Sequence, residues 1–138
     1  MVALINYIVP GSSAALAGLK RGDVITKING SQLTASNYDQ LENTQITITL
    51  AASVQFSSGG LVTTDKAGTV TVTKAPIDEN PVAYYEKKVY GSKNIGYLVY
   101  NSFKSDYNDE LNAAFAKMQS DGINELVLDL RYNGGGSL

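Results

Sequence analysis

The 138-residue sequence contains no cysteine and no histidine. The first absence excludes thiol catalysis, disulfides and thiolate metal sites. The second means that no Ser-His-Asp or Cys-His machine is complete within these residues. Any acid–base chemistry inside the chain falls to Asp, Glu, Lys or Tyr; otherwise the reactive groups lie outside it. Charge is scarce as well. Only 17% of residues are charged, the net charge is −2 and the pI is near 5.0. That balance leaves no electrostatic footprint for nucleic acid or an anionic membrane. No apolar run approaches the length of a membrane span, and no signal peptide, lipidation signal, internal repeat or charge block is visible.

What is present is apolar material, 43% of residues, ample for one ordinary domain or a small domain with part of another. Residues 2–9 read as a strand ended by Pro10-Gly11. Ser12 or Ser13 can cap a short helix through Ala14, Ala15, Leu16 and Ala17, with Gly18 at its left-handed C-terminal position. Residues 24–28 form the next strand, and Asn29-Gly30 is a hairpin turn signal. Ser36 is expected to cap a second helix, residues 37–43, presenting Tyr38 and Leu41 on one face. Ile46, Ile48 and Leu50, then Val70 and Val72, alternate with threonines as half-buried strands do, and residues 57–68 between them suit an exposed hairpin or insertion.

Residues 75–82, with Pro76 and Pro81, read as a linker. Residues 95–100 are apolar on both faces, as in a strand of a covered sheet. Ser105 or Asp106 can cap a helix on which Tyr107, Leu111, Ala114, Phe115 and Met118 form a core-facing stripe. Asp121-Gly122 closes that helix, and residues 126–130 return as a buried strand. Strand, helix and strand at these lengths predict a right-handed βαβ crossover, whose parallel strands gather ligands beyond their carboxyl ends.

At that end lies Asp129-Leu130-Arg131-Tyr132-Asn133-Gly134-Gly135-Gly136. Three adjacent glycines cost backbone entropy and are useful where bare N–H groups must approach an anion or a developing oxyanion. A phosphate-binding loop would need Lys and Ser/Thr after the glycines, and the intervening Arg131, Tyr132 and Asn133 argue against a dinucleotide fingerprint. No cofactor is expected. A plain tight turn is the bland reading of the glycines, and a buried ion pair at the strand end that of Asp129 and Arg131. Only two residues follow the glycines, so the chain is read as a piece of a longer protein.

The run Pro10-Gly11-Ser12-Ser13-Ala14, Ala17-Gly18-Leu19, Gly22-Asp23-Val24-Ile25 and Ile28-Asn29-Gly30 resembles the middle of a PDZ domain. The resemblance implies a small sheet that binds extended peptides by strand addition, with Tyr38 and Leu41 facing the groove. Core packing is the equal alternative for that pair. No residues before Met1 supply the glycine-containing loop that grips a peptide C-terminus, or the strand beside it. Weak peptide binding and self-association through an unpaired edge strand are therefore expected.

Together the two halves resemble the C-terminal processing peptidases, or tail-specific proteases, in which a PDZ domain accompanies a serine–lysine core. Ile95-Gly96-Tyr97-Leu98 with Asn101-Ser102-Phe103 is similar to that family's first core strand, and residues 128–136 match its D-L-R-x-N-x-G-G signature. The implied fold class is α+β: a partial PDZ-like barrel or sheet with two helices in residues 1–76, a linker and lead-in over 77–94, and the βαβ start of the peptidase core over 95–138. The implied partner is a protein or peptide with an exposed C-terminal tail, and the implied location is the periplasm or cell envelope. A backbone N–H of Gly134, Gly135 or Gly136 is expected to serve the oxyanion hole, Gly135 first, with Asp129, Arg131 and Asn133 structural at the site. The family's nucleophilic serine and base lysine would lie beyond Leu138, so the chain alone is expected to be inactive. A non-catalytic peptide-binding adaptor and a dead-protease scaffold are the alternatives.

Overall fold

The computed structural model describes residues 1–137, which fall into two compact units, Met1–Ile77 and a second that starts at Asp78. The architecture is α+β. In the first unit, β1 (Ala3–Leu4), β2 (Val24–Ile28), β4 (Gln45–Ser57) and β5 (Gly60–Asp65) lie side by side in that order. β3 (Ser31–Gln32) pairs with β2, and β6 (Val70–Thr73) with β4. All these pairings are antiparallel. The alternation of β4 puts Ile46, Ile48 and Leu50 inward, where they join Leu19, Ile25, Ile28, Leu33 and Val72 in one buried cluster. Beyond Ala51 β4 leaves that cluster and runs out with β5 as an exposed hairpin.

The helix α1 (Ser13–Leu16) begins as expected: Ser12 is its N-cap, and its Oγ accepts the Ala15 N–H at 3.1 Å. Asn29 and Gly30 both have positive φ, 48° and 81°, the backbone a two-residue hairpin needs. Two expectations are corrected. The strand expected over residues 2–9 shrinks to Ala3–Leu4, because Ile5 turns to bond Asp23 O and Gly22 N rather than continuing the ladder. The second helix is a single 3₁₀ turn, Tyr38–Glu42, and Ser36 does not cap it. Asn37 instead accepts the Thr34 N–H and donates to Gln32 O, while Ser36 pairs with Thr34, so local side-chain bonds replace the cap.

In the second unit β7 (Val82–Tyr90), β8 (Lys93–Tyr100) and β9 (Glu125–Asp129) form a sheet in that order. β7 and β8 are antiparallel; β8 and β9 are parallel and joined through α2 (Asn108–Ser120), the βαβ crossover read from the sequence. β7 occupies residues read as lead-in. Gly91-Ser92 between two Tyr- and Val-bearing runs was the available hairpin signal, and Gly91 has φ 60°. Neither Ser105 nor Asp106 caps α2: Ser105–Tyr107 is a 3₁₀ turn leading into it, and Tyr107 stands at the cap position without a side-chain bond. On the helix Met118 is buried, whereas Phe115 is 45% exposed. β9 departs from expectation too: its Leu126, Val127 and Leu128 are each almost half exposed. The strand has the composition of a covered one but lies at the edge of the sheet, paired among the described residues with β8 alone.

Candidate active site

β8 and β9 run parallel, so Tyr100 and Asp129 end on the same side of the sheet, and the loop after Asp129 turns back along the extension of β8. The turn is built on Asp129. Its carboxylate, only 8% exposed, accepts the Arg131 backbone N–H at 3.1 Å and the guanidinium through Nε at 3.0 Å and Nη2 at 2.6 Å. The Tyr97 hydroxyl, from β8, donates to the same carboxylate and lies 3.3 Å from Arg131 Nη2. These bonds, led by the guanidinium, hold the Asp129 carboxyl well below the ordinary carboxylate range and raise the Arg131 guanidinium above its own. The carboxylate is thus saturated and fixed as an anion, which suits closing the strand end rather than moving protons.

The three glycines are then distributed among different tasks. Gly134 N–H donates to Asn101 O at 3.1 Å. Asn133 bridges strand and loop: its Nδ2 donates to Tyr100 O at 2.9 Å and its Oδ1 accepts the Gly135 N–H at 2.7 Å. The Gly135 carbonyl accepts both the Phe103 N–H and the Ser102 hydroxyl, each at 2.9 Å. Ser137 N–H donates to Phe103 O at 2.8 Å, completing a parallel bridge between Phe103 and Gly136. Gly136 is exposed, and among the described residues none accepts its N–H. Gly135, first choice from the sequence, therefore already spends its N–H on a side chain. Gly136 is the glycine whose N–H is available.

Sterics explain why glycine is required at Gly136. A Cβ there would stand 1.9 Å from Phe103 O and 2.7 Å from Phe103 C, and the φ of 142° is one other residues rarely adopt. Beside the loop, Tyr100, Phe103, Lys104, Asn108, Leu111 and Ser137 line an open cleft of about 310 Å³. Tyr100 and Phe103, both in its lining, meet edge to face, with ring centroids 5.4 Å apart.

Residues 94–138 match the model of peptidase family S41, and residues 4–50 match that of a PDZ domain. The chain resembles the S41 peptidases. A CtpA-like serine protease of Staphylococcus aureus (strain COL) is 31% identical over 135 residues, 93% of this chain and 24% of that protein. A crystal structure described as an S41 protease from Bacteroides fragilis NCTC 9343 superposes with a TM-score of 0.75 at 36% identity, over 99% of this chain and 37% of that one. The photosystem II D1 C-terminal processing protease shares the fold, with a TM-score of 0.57 at 24% identity over 97% of this chain and 37% of that one. The chain spans about a quarter of the length of the curated relatives it matches.

The resemblance to C-terminal processing peptidases and to a PDZ domain read from the sequence is thus borne out, and the glycine loop lies inside the S41 match. Within that segment Asp129, Arg131, Asn133 and the glycines are all brought together. Tyr38 and Leu41, in the PDZ segment, are not alike: Leu41 is half-buried against the core, and Tyr38 is 57% exposed. Sequence reasoning missed Tyr97, Asn101 and Ser102 as supports of the loop. They were legible only as part of a strand and its tail, since no local spacing announces a hydroxyl that bonds a carbonyl 33 residues away.

Proposed function

We propose that this chain is the peptide-binding part and one active-site wall of a serine-type C-terminal processing peptidase. The observation that carries the reading is the exposed Gly136 N–H, unpaired among the described residues at the carboxyl ends of two parallel strands and braced by the Asp129–Arg131 turn. A rigid N–H facing open space is what a developing acyl oxyanion needs, and in related chemistry removing one such donor costs on the order of 10² to 10³ in turnover. Gly136 supplies that donor, with Gly134 and Gly135 building the loop. A serine nucleophile and a lysine made neutral by burial, both outside these residues, complete the machine, so the chain by itself does not hydrolyse peptides.

The PDZ segment holds the exposed C-terminal tail of a protein substrate by strand addition, and Tyr38 and Leu41 contribute to that groove. β1 offers only Ala3 and Leu4 as an edge, which supports weak tail binding by the isolated chain; self-association would use the same unpaired edge and is weak for the same reason. The parent protein works in the cell envelope. The test is the reading frame beyond the codon for Leu138, followed by peptidase assay of the whole product. A serine and a downstream lysine, with tail-dependent cleavage abolished when that serine is replaced, are expected. A frame lacking the pair overturns the peptidase reading and leaves a dead scaffold or a peptide-binding adaptor.

A further inference from the structure

The Gly135–Gly136 peptide is trans, like every peptide bond among the described residues. In a trans peptide the carbonyl of one residue and the N–H of the next point to opposite sides of one rigid plane. Whatever fixes the Gly135 carbonyl therefore aims the Gly136 N–H. That carbonyl is held twice, by the Phe103 N–H and by the Ser102 Oγ, both at 2.9 Å. The backbone bond alone forms a single pivot, about which a glycine–glycine plane can still rock, because neither residue has a Cβ to resist it. The hydroxyl adds a second donor from an adjacent residue and removes that freedom. We propose that Ser102 is a positioning residue: with the Phe103 N–H it clamps the Gly135 carbonyl, so that the Gly136 N–H is presented outward as a pre-aimed donor.

Ser102 is suited to this on independent grounds. It is partly buried, it lies on the extension of β8, and Asn101, Ser102 and Phe103 each bond a successive part of the loop. Asn101 O takes Gly134 N–H, Ser102 takes Gly135 O, and Phe103 takes Gly135 O and Ser137 N. The three residues thus form a template against which the loop is laid. The catalytic consequence rests on the peptidase reading above; the aiming of the peptide plane does not.

The experiment uses both properties. In the isotopically labelled 138-residue chain, the Gly134 and Gly135 amides should be protected from hydrogen exchange and the Gly136 amide should not. Ser102→Ala should move the Gly135 carbonyl carbon and Gly136 amide nitrogen resonances, and Ser102→Thr, which keeps the hydroxyl, should restore them. A Gly136 amide as protected as Gly134, or resonances unmoved by Ser102→Ala, overturns the inference. In the full-length product Ser102→Ala should lower kcat about two- to tenfold, the worth of one neutral hydrogen bond, with KM unchanged and Thr rescuing. If the resonances respond as expected while kcat does not, the clamp stands and the oxyanion reading of the loop fails.

Discussion

Replacing the loop glycines one at a time by alanine should produce a graded series set by where each Cβ would go. At Gly136 the new methyl falls 1.9 Å from Phe103 O, a backbone atom that cannot step aside as a flexible side chain would. The loop must lift away from Phe103. Lifting breaks the bonds from Phe103 N–H and Ser102 Oγ to Gly135 O and from Ser137 N–H to Phe103 O. At a net worth of about 0.5–1.5 kcal/mol each, the three make a loss of about 1.5–4.5 kcal/mol of loop attachment. At Gly135 a Cβ meets nothing within 4 Å, but φ is 91°, so only backbone strain of about 1–3 kcal/mol is added. At Gly134 there is neither contact nor a positive φ, and the effect should stay within about 0.5 kcal/mol. Because the loop can release without unfolding β8 and β9, the assay must be local: hydrogen exchange of the Ser137 amide, whose protection should fall about tenfold or more in Gly136→Ala and stay unchanged in Gly134→Ala. Equal protection in those two variants would refute the steric reasoning.

Other consequences are open to direct measurement. Asp129 is a carboxyl whose folded value is depressed, so its contribution to stability is complete above the ordinary value of about 3.9 and is lost as pH falls below it; Asp129→Asn should lower stability at neutral pH and flatten that acid limb, and an unchanged acid profile would contradict it. Tyr107 donates to Asp78, and that bond, with burial second, pushes its phenol up to about 12. The neutral phenol is therefore favoured in the fold, with stabilisation present below about pH 10 and lost as pH rises through about 12. In a ring-carbon titration Asp78→Asn should return Tyr107 toward its ordinary value. Leu98→Ala, at a fully buried position of the central strand, should destabilise the second unit by about 2–5 kcal/mol, whereas Leu126→Ala, 46% exposed on β9, should cost about 1 kcal/mol; similar losses would contradict the edge position of β9. Apolar C-terminal peptides should produce only weak, unsaturated chemical-shift changes in the isolated chain, and saturation at micromolar peptide would refute the short-edge argument.

The sequence alone determined whatever depends on local chemistry. Asn29-Gly30 demanded two positive φ values, Ser12 offered a cap, and the spacing from residue 95 to residue 129 required a parallel crossover, because each is dictated by the chain within a few residues or one helix length. The D-L-R and triple-glycine stretch announced a strand ending in an exposed backbone loop for the same reason. Tertiary structure decided what depends on partners far along the chain. A strand of five residues with three consecutive apolar ones, and Leu130 following it, reads as buried wherever it occurs, yet β9 stands at an edge, and burial is a property of neighbours rather than of composition. Likewise nothing local distinguishes three consecutive glycines. Asn133 takes the N–H of Gly135 from two residues away, but Asn101 takes that of Gly134 and Ser102 with Phe103 turns the last peptide plane outward through bonds spanning some thirty residues, and together these leave Gly136 as the available donor.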